Sequence, residues 1–195
     1  MRRTSLIITM VLLVGLLTSA CQPITTAPRL SSVTAVNFAC RVTPGEEEEV
    51  NGVIHHRGQI DEGISFADDP RVDGVYANLL DWNYVAATGG GTFVITTVLT
   101  PTMGGGTWTG QVAGYFAGGI GGFNSVMVGT GAFAGLEFVV NGVATDMDTA
   151  LALIAGDERI VDGNPCAAMA GEADETILLY GQIIDRRPVM STPSQ

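Results

Sequence analysis

A phosphate-binding loop is the first chemistry that the sequence suggests, in the segment V-G-T-G-A-F-A-G-L-E-F at residues 128–138. Gly129, Gly131 and Ala134 have the spacing G-x-G-x-x-A, which binds a pyrophosphate where a strand leads through the loop into a helix. The residues that follow, 135–142, are β-forming and leave little room for a helix whose amides could face a phosphate. We therefore interpret the segment as a glycine-bent strand junction, and we expect no nucleotide and no cofactor.

Histidine and glutamate side chains are the next candidates for chemistry. His55 and His56 are the only histidines, and adjacent strand residues point to opposite faces, so we expect no shared metal site. His56, on the face that we assign to Ile54 and Ile60, is either a packed core residue or a catalytic acid–base group. Glu137 is either solvated or, if it faces the interior, a carboxyl whose pKa is raised by burial and which suits acid catalysis or ligand anchoring.

The charge balance excludes one class of partner. The chain carries a formal charge of -11, with 20 acidic residues and no lysine, so it repels the phosphate backbone, and we expect no nucleic-acid partner. A hydrophobic content of 46% argues against global disorder. Acidic clusters such as residues 46–49 predict solvated loops, with calcium binding as the alternative.

The N-terminal residues are organised like an export signal. Arg2 and Arg3 precede an apolar run at 6–17 that is short for a membrane span, and the small residues of L-T-S-A lead to Cys21. This segment resembles a bacterial lipoprotein signal peptide, which implies a lipid on Cys21; the alternative is an ordinary secretory signal. We predict a signal peptide at 1–20, a lipidated cysteine and flexible tether at 21–36, and a location in the bacterial cell envelope outside the cytoplasm, held to the membrane through the lipid.

The three cysteines fit that location. If Cys21 carries a lipid, Cys40 and Cys166 are left as a pair, and an oxidising compartment would allow them to form a disulfide. Two buried free thiols are the alternative.

The elements that must position these side chains are mainly strands. β-branched and aromatic residues separated by turn residues predict strands, and one segment, 146–156, predicts a short helix or a loop that covers one end of a barrel. Phe93, Trp108 and Phe123 each follow glycines and are spaced 15 residues apart, which suits long strands joined by glycine turns in an antiparallel meander. We place the domain at 37–190 and a disordered tail at 191–195. The predicted strands are 50–60, 75–85, 92–100, 108–116, 123–128 and 175–185.

The opening segment also resembles the dirigent and allene oxide cyclase group, whose members carry G-G-T-G-x-F or G-G-S-G-x-F, often followed by small residues and another glycine. Five residues match, with Val128 in place of the first glycine: Gly129, Thr130, Gly131, Phe133 and Gly135. The resemblance implies an all-β fold, a single eight-stranded antiparallel calycin-like barrel with an apolar interior. No catalytic residue of that group matches a position in this chain.

These inferences favour a non-enzymatic, lipid-anchored barrel that binds a small apolar ligand or a partner in the envelope. The alternative is an isomerase or cyclase that acts on a hydrophobic substrate in the barrel cavity, with His56 and Glu137 as candidate catalytic residues. A third option is a structural barrel whose interior is filled. The sequence predicts neither the ligand nor the oligomeric state.

Overall fold

The computed structural model describes residues 27–117 and 120–187 of the chain. The predicted signal peptide at 1–20, Cys21, the first part of the tether at 22–26 and the tail at 191–195 lie outside these residues. Within the described part, no helix is long and apolar enough to cross a membrane.

The described residues form nine antiparallel strands and one α-helix. Each strand from β2 to β8 pairs with the next one along the chain, so the predicted antiparallel meander is confirmed. The elements are β1 (Arg29–Thr43), β2 (Glu46–Val50), β3 (Val53–Ala67), β4 (Gly74–Val85), β5 (Gly90–Pro101), β6 (Trp108–Ala117), β7 (Ile120–Gly129), β8 (Leu136–Ala144), α1 (Met147–Leu153) and β9 (Glu175–Asp185).

The first strand closes the sheet into a barrel. β1 pairs with β9 along Arg29–Ala39 and with β3 along Ala35–Thr43, so eight strands form a closed ring. β2 is the extra strand and pairs with the first part of β3, beyond the end of β1. The prediction of an all-β, eight-stranded antiparallel barrel is confirmed, and closure removes the sheet edges that would otherwise be exposed.

Two segments that composition assigned to irregular structure are strands. Residues 29–36, predicted as tether, form the start of β1, because Val33 and Ala35 face the interior between serine and threonine residues that face outward. The acidic segment 46–49, predicted as a solvated loop, lies in β2, where every residue is exposed. In both segments the backbone pairs with a neighbouring strand, which composition alone does not reveal.

Glycines on the inner wall make room for aromatic rings from neighbouring strands. An added Cβ at Gly114 would lie 2.2 Å from the ring of Phe93, and one at Gly142 would lie 2.2 Å from the ring of Phe123. These glycines directly face the two phenylalanines across the strand pairs β5–β6 and β7–β8. Close approach of a ring to the backbone therefore requires glycine there.

A cover of helix and loop packs on the outside of the barrel. α1 begins at its N-cap Asp146, which accepts a hydrogen bond from the Thr149 amide at 2.8 Å, and the predicted helix is thereby confirmed. Phe38 and Phe66 point outward from β1 and β3 into this cover. The predicted disulfide Cys40–Cys166 joins β1 to the same layer, and closing a loop of 126 residues stabilises the fold by about 4–5 kcal/mol in the chain-entropy model.

Candidate functional site

One end of the barrel is filled with side chains. Trp108, fully buried, stacks on Phe133 with ring centroids 5.4 Å apart and packs against Phe138 at 5.8 Å. The indole Nε1 donates to the Arg71 carbonyl oxygen at 2.6 Å, so its polar atom is satisfied. Among the described residues, these side chains fill the barrel at this end.

The opposite end holds a cavity of about 530 Å³. Aromatic rings from β4 to β7 form much of its wall, including Trp82, Tyr84, Phe93 and Phe123, with Leu80 and other aliphatic side chains between them. Glycines of two hairpin regions, at positions 89, 121 and 122, line the same cavity and have no side chains to close it. A concave, mainly apolar chamber with a few polar groups is the usual form of a small-molecule site.

Three carboxylic acids line this apolar chamber: Asp61 and Glu175 of the barrel strands, and Glu47 of the extra strand β2. Asp61 of β3 is only 3% exposed, and its Oδ1 accepts a hydrogen bond from Gln59 Nε2 at 2.8 Å. Burial raises the pKa of Asp61, and the nearby charge of Asp174 raises it further, against the lowering effects of Gln59 and His56. Glu175, at the start of β9, also lines the cavity but is an exposed residue at its open end. Its pKa is raised first by desolvation and then by repulsion from Asp61 and Asp174.

A buried phenol lies with these acids. Tyr76 is 7% exposed and lines the cavity beside them. Burial, together with the negative charges of Asp61 and Glu175, raises the pKa of its hydroxyl far above the ordinary value. Tyr76 therefore stays a neutral hydrogen-bonding group, and the acids retain protons to a higher pH than they would in water.

A bulge in β3 turns Asp61 inward. The pairing of β3 with β4 shifts register between His56 and Gln59, and Gly58 has φ +75°, a left-handed conformation that suits glycine. After the bulge, Gln59 and Asp61 face the interior. Ile60, predicted to share the face of His56, is 43% exposed instead.

His56 lies next to the cavity as a packed residue. Its ring is 4.4 Å from that of Trp82, and its Nδ1 lies 3.1 Å from Glu47 Oε1. The side chain is buried, and Nε2 has no hydrogen-bond partner within the described residues. His55 points to the other face, with Nδ1 2.7 Å from Asn83 Oδ1. The two histidines therefore do not converge on one point.

Glu137 does not reach the cavity. It lies on β8 between the inward-facing Leu136 and Phe138, so it points outward, where Arg186 Nη2 lies 3.2 Å from its carboxylate. Of the two alternatives for Glu137, the structure shows the outward, solvated placement. The sequence did not predict the two acids of the barrel strands that line the cavity, Asp61 and Glu175.

The glycine-rich motif closes the filled end. Gly129 ends β7, Gly131 begins a short 3-10 turn, and Phe133 on that turn packs into the core. The Thr130 hydroxyl lies 2.7 Å from that of Thr107 and ties the turn to the start of β6. Gly135, with φ +83°, leads the chain into β8. The strand β8, and not an α-helix, follows the motif directly, and the role of the motif is structural.

The sequence pattern did not identify Asp61 as an inward residue, because the apolar side chains of this part of β3 lie on its outer face. In Q-I-D-E-G-I-S-F, residues 59–66, the apolar side chains belong to the outward set, where Ile64 and Phe66 pack under α1. The alternation alone therefore predicts that Ile64 and Phe66 face the barrel interior and that Asp61 faces solvent. The glycine within a charged stretch, Gly58, was the available signal of a bulge.

Comparison with known proteins gives no family for this chain. No family model matches it, and no curated protein matches it. Within residues 27–117 and 120–187, no group of three or more His, Cys, Asp or Glu side chains is arranged to hold a metal ion.

Proposed function

We propose that the barrel binds a small, mostly apolar molecule in its open end. The cavity of about 530 Å³, walled by Trp82, Phe93 and Phe123, carries this proposal. Burying an apolar ligand against these rings is favourable at about 25 cal/mol per Å² of surface removed from water. The inward carboxyls and Tyr76 would orient the polar end of such a molecule.

A pair of neighbouring leucines provides the test. Leu80 lines the cavity, whereas Leu79, the preceding residue, is 49% exposed on the outer face. Leu80→Trp should fill the cavity and abolish ligand binding, and Leu79→Trp should leave binding unchanged. Small molecules that co-purify with each variant are measured by native mass spectrometry. If neither co-purifying molecules nor added apolar probes bind to the wild type, the proposal fails.

We further propose that a lipid on Cys21 holds the protein to a membrane outside the cytoplasm. The support comes from the arginine pair, the apolar run and the L-T-S-A-C sequence. The Cys40–Cys166 disulfide is compatible with an oxidising compartment. Labelling with radioactive palmitate should mark the wild type and not Cys21→Ser. Label that persists in the variant, or is missing from the wild type, would contradict the anchor.

Isomerase or cyclase activity is the second candidate function, and the inward acids favour it. A carboxyl with a raised pKa in an apolar chamber is suited to donate or accept a proton. The ligand recovered from the wild type should then be chemically altered on incubation and unaltered with Asp61→Asn. Recovery of an unchanged ligand from both proteins would leave binding alone as the function.

A further inference from the structure

The charged side chains on the cavity wall all have the same sign. Within the described residues, those that line the cavity are Glu47, Asp61 and Glu175, and no arginine lines it. The chain contains no lysine. The nearest arginine along β3, Arg57, donates to the carbonyl oxygens of His56 and Trp82, each at 2.6 Å. The cavity is therefore acidic as well as apolar.

Asp61 has hydrogen-bonding capacity that the protein does not use. Its Oδ1 accepts from Gln59, but within the described residues Oδ2 accepts no hydrogen bond. Glu175, which is exposed at the open end of the barrel, also accepts none there, so only Asp61 is a buried carboxylate. A buried carboxylate without a partner is costly, and a positive group or a strong donor placed beside it offsets that cost. Such a partner would have to come from the cavity.

The aromatic wall favours the same kind of partner. Faces of Trp, Tyr and Phe rings attract cations by about 0.5–2 kcal/mol, more where water is excluded. Trp82, Tyr84, Phe93, Phe116 and Phe123 all line the chamber that also contains Asp61. The net charge of -11 further raises the local concentration of cations around the protein.

We propose that the ligand of this cavity is a hydrophobic cation, an apolar molecule that carries an amine or a quaternary ammonium group. This inference rests on the proposed binding function and names its ligand class. The apolar body lies against the aromatic wall, and the positive group lies beside Asp61 and Glu175. Anionic molecules such as fatty acids are rejected, because their carboxylate would face three acids and no compensating base.

The acids link binding to pH. Asp174, Glu175, His56 and Tyr76 face or influence Asp61, and the pKa values of Asp61 and Glu175 are both raised. A quaternary ammonium group does not titrate, and it binds best when the acids are ionised. Its affinity should therefore increase as the pH rises through their raised pKa values, and binding at lower pH should release protons.

Three probes that share one apolar body test the proposal by isothermal titration calorimetry. They are naphthylmethyl-trimethylammonium, naphthylmethanol and naphthylacetate, which are cationic, neutral and anionic. We expect the cation to bind the purified protein about tenfold tighter than the alcohol, and the anion to bind weakest. Equal binding of cation and alcohol, or tighter binding of the anion, overturns the inference but leaves the apolar site intact. Binding of none of them overturns the proposed function as well.

A double variant locates the selectivity. Asp61→Asn with Glu175→Gln should remove the preference for the cation and retain binding of the alcohol, which also reports that the barrel is folded. Glu62→Gln is the matched control, because Glu62 lies on the same strand and its carboxylate points outward, 3.8 Å from Arg41. A cation preference that survives the double variant contradicts the role of these acids. The pH dependence of ammonium binding to the wild type tests the same point without a substitution, and a flat profile contradicts it too.

Discussion

The two ends of the barrel differ in what their connections contribute. At the filled end, the β3–β4 loop inserts Val72 and the turn after β7 inserts Phe133, and both are buried against Trp108. At the open end, Gly89, Gly121 and Gly122 line the cavity and provide no side chain to insert. Similar inward rings line both ends, so the connections between strands decide whether the barrel is solid or hollow.

Removal of a large aromatic side chain should show the largest difference in stability between the two ends. Trp108→Ala removes a fully buried side chain from the filled end and should lower the free energy of unfolding by about 3–5 kcal/mol. Trp82→Ala removes a half-buried wall of the cavity and should cost less stability while abolishing ligand binding. Urea denaturation followed by circular dichroism measures both losses. Equal losses would mean that the cavity wall supports the fold as much as the filled end does.

Two inward glycines give a finer comparison. An added Cβ would lie 2.6 Å from the Phe138 ring at Gly181, in the filled end, and 2.2 Å from the Phe93 ring at Gly114, beside the cavity. Phe93 can move into open space, whereas Phe138 is enclosed by other core residues. Gly181→Ala should therefore destabilise by about 1–3 kcal/mol, and Gly114→Ala should destabilise less but weaken ligand binding. Thermal unfolding and probe titration of the pair check this, and a larger loss at Gly114 would contradict it.

The smallest effect concerns pH and is confined to the open end. The pKa values of Asp61 and Glu175 are raised above their ordinary 3.8 and 4.5, so the folded state holds protons that the unfolded state releases. Their contribution to stability is fully present below the ordinary values and is lost as the pH rises through the raised ones. Asp69 and Asp157 have lowered pKa values because of Arg71 and Arg159. These two acids therefore stabilise the folded state above their ordinary pKa values, and that stabilisation is lost only as the pH falls through the lowered ones.

The double variant Asp61→Asn with Glu175→Gln should remove this loss of stability with rising pH. We expect its Tm at neutral pH to exceed that of the wild type by roughly a few degrees, with little difference near pH 4. Differential scanning calorimetry across this range is the measurement. A wild-type Tm that rises steadily from acidic to neutral pH, in parallel with that of the variant, would show that these acids do not carry the effect.

The sequence predicted the fold well and the site poorly, for one physical reason. Alternation, turn residues and the glycine–aromatic spacing of Phe93, Trp108 and Phe123 report which segments are strands. They do not report which face is inside when both faces are covered. β3 packs against the barrel interior on one side and against α1 on the other. The bulge at Gly58 reverses which alternate residues of the strand face the interior. The placement of Asp61 therefore depends on tertiary packing that the sequence pattern does not reveal.

The pairing of β1 with β9 determines which end of the barrel holds its first and last strand residues. Arg29 and Asp185 are opposite one another and form an ion pair, so the chain enters and leaves the barrel at the filled end. The cavity opens at the other end, near Glu175 and Gly121. The first and last strand residues of the barrel therefore lie at the end opposite the mouth of the cavity.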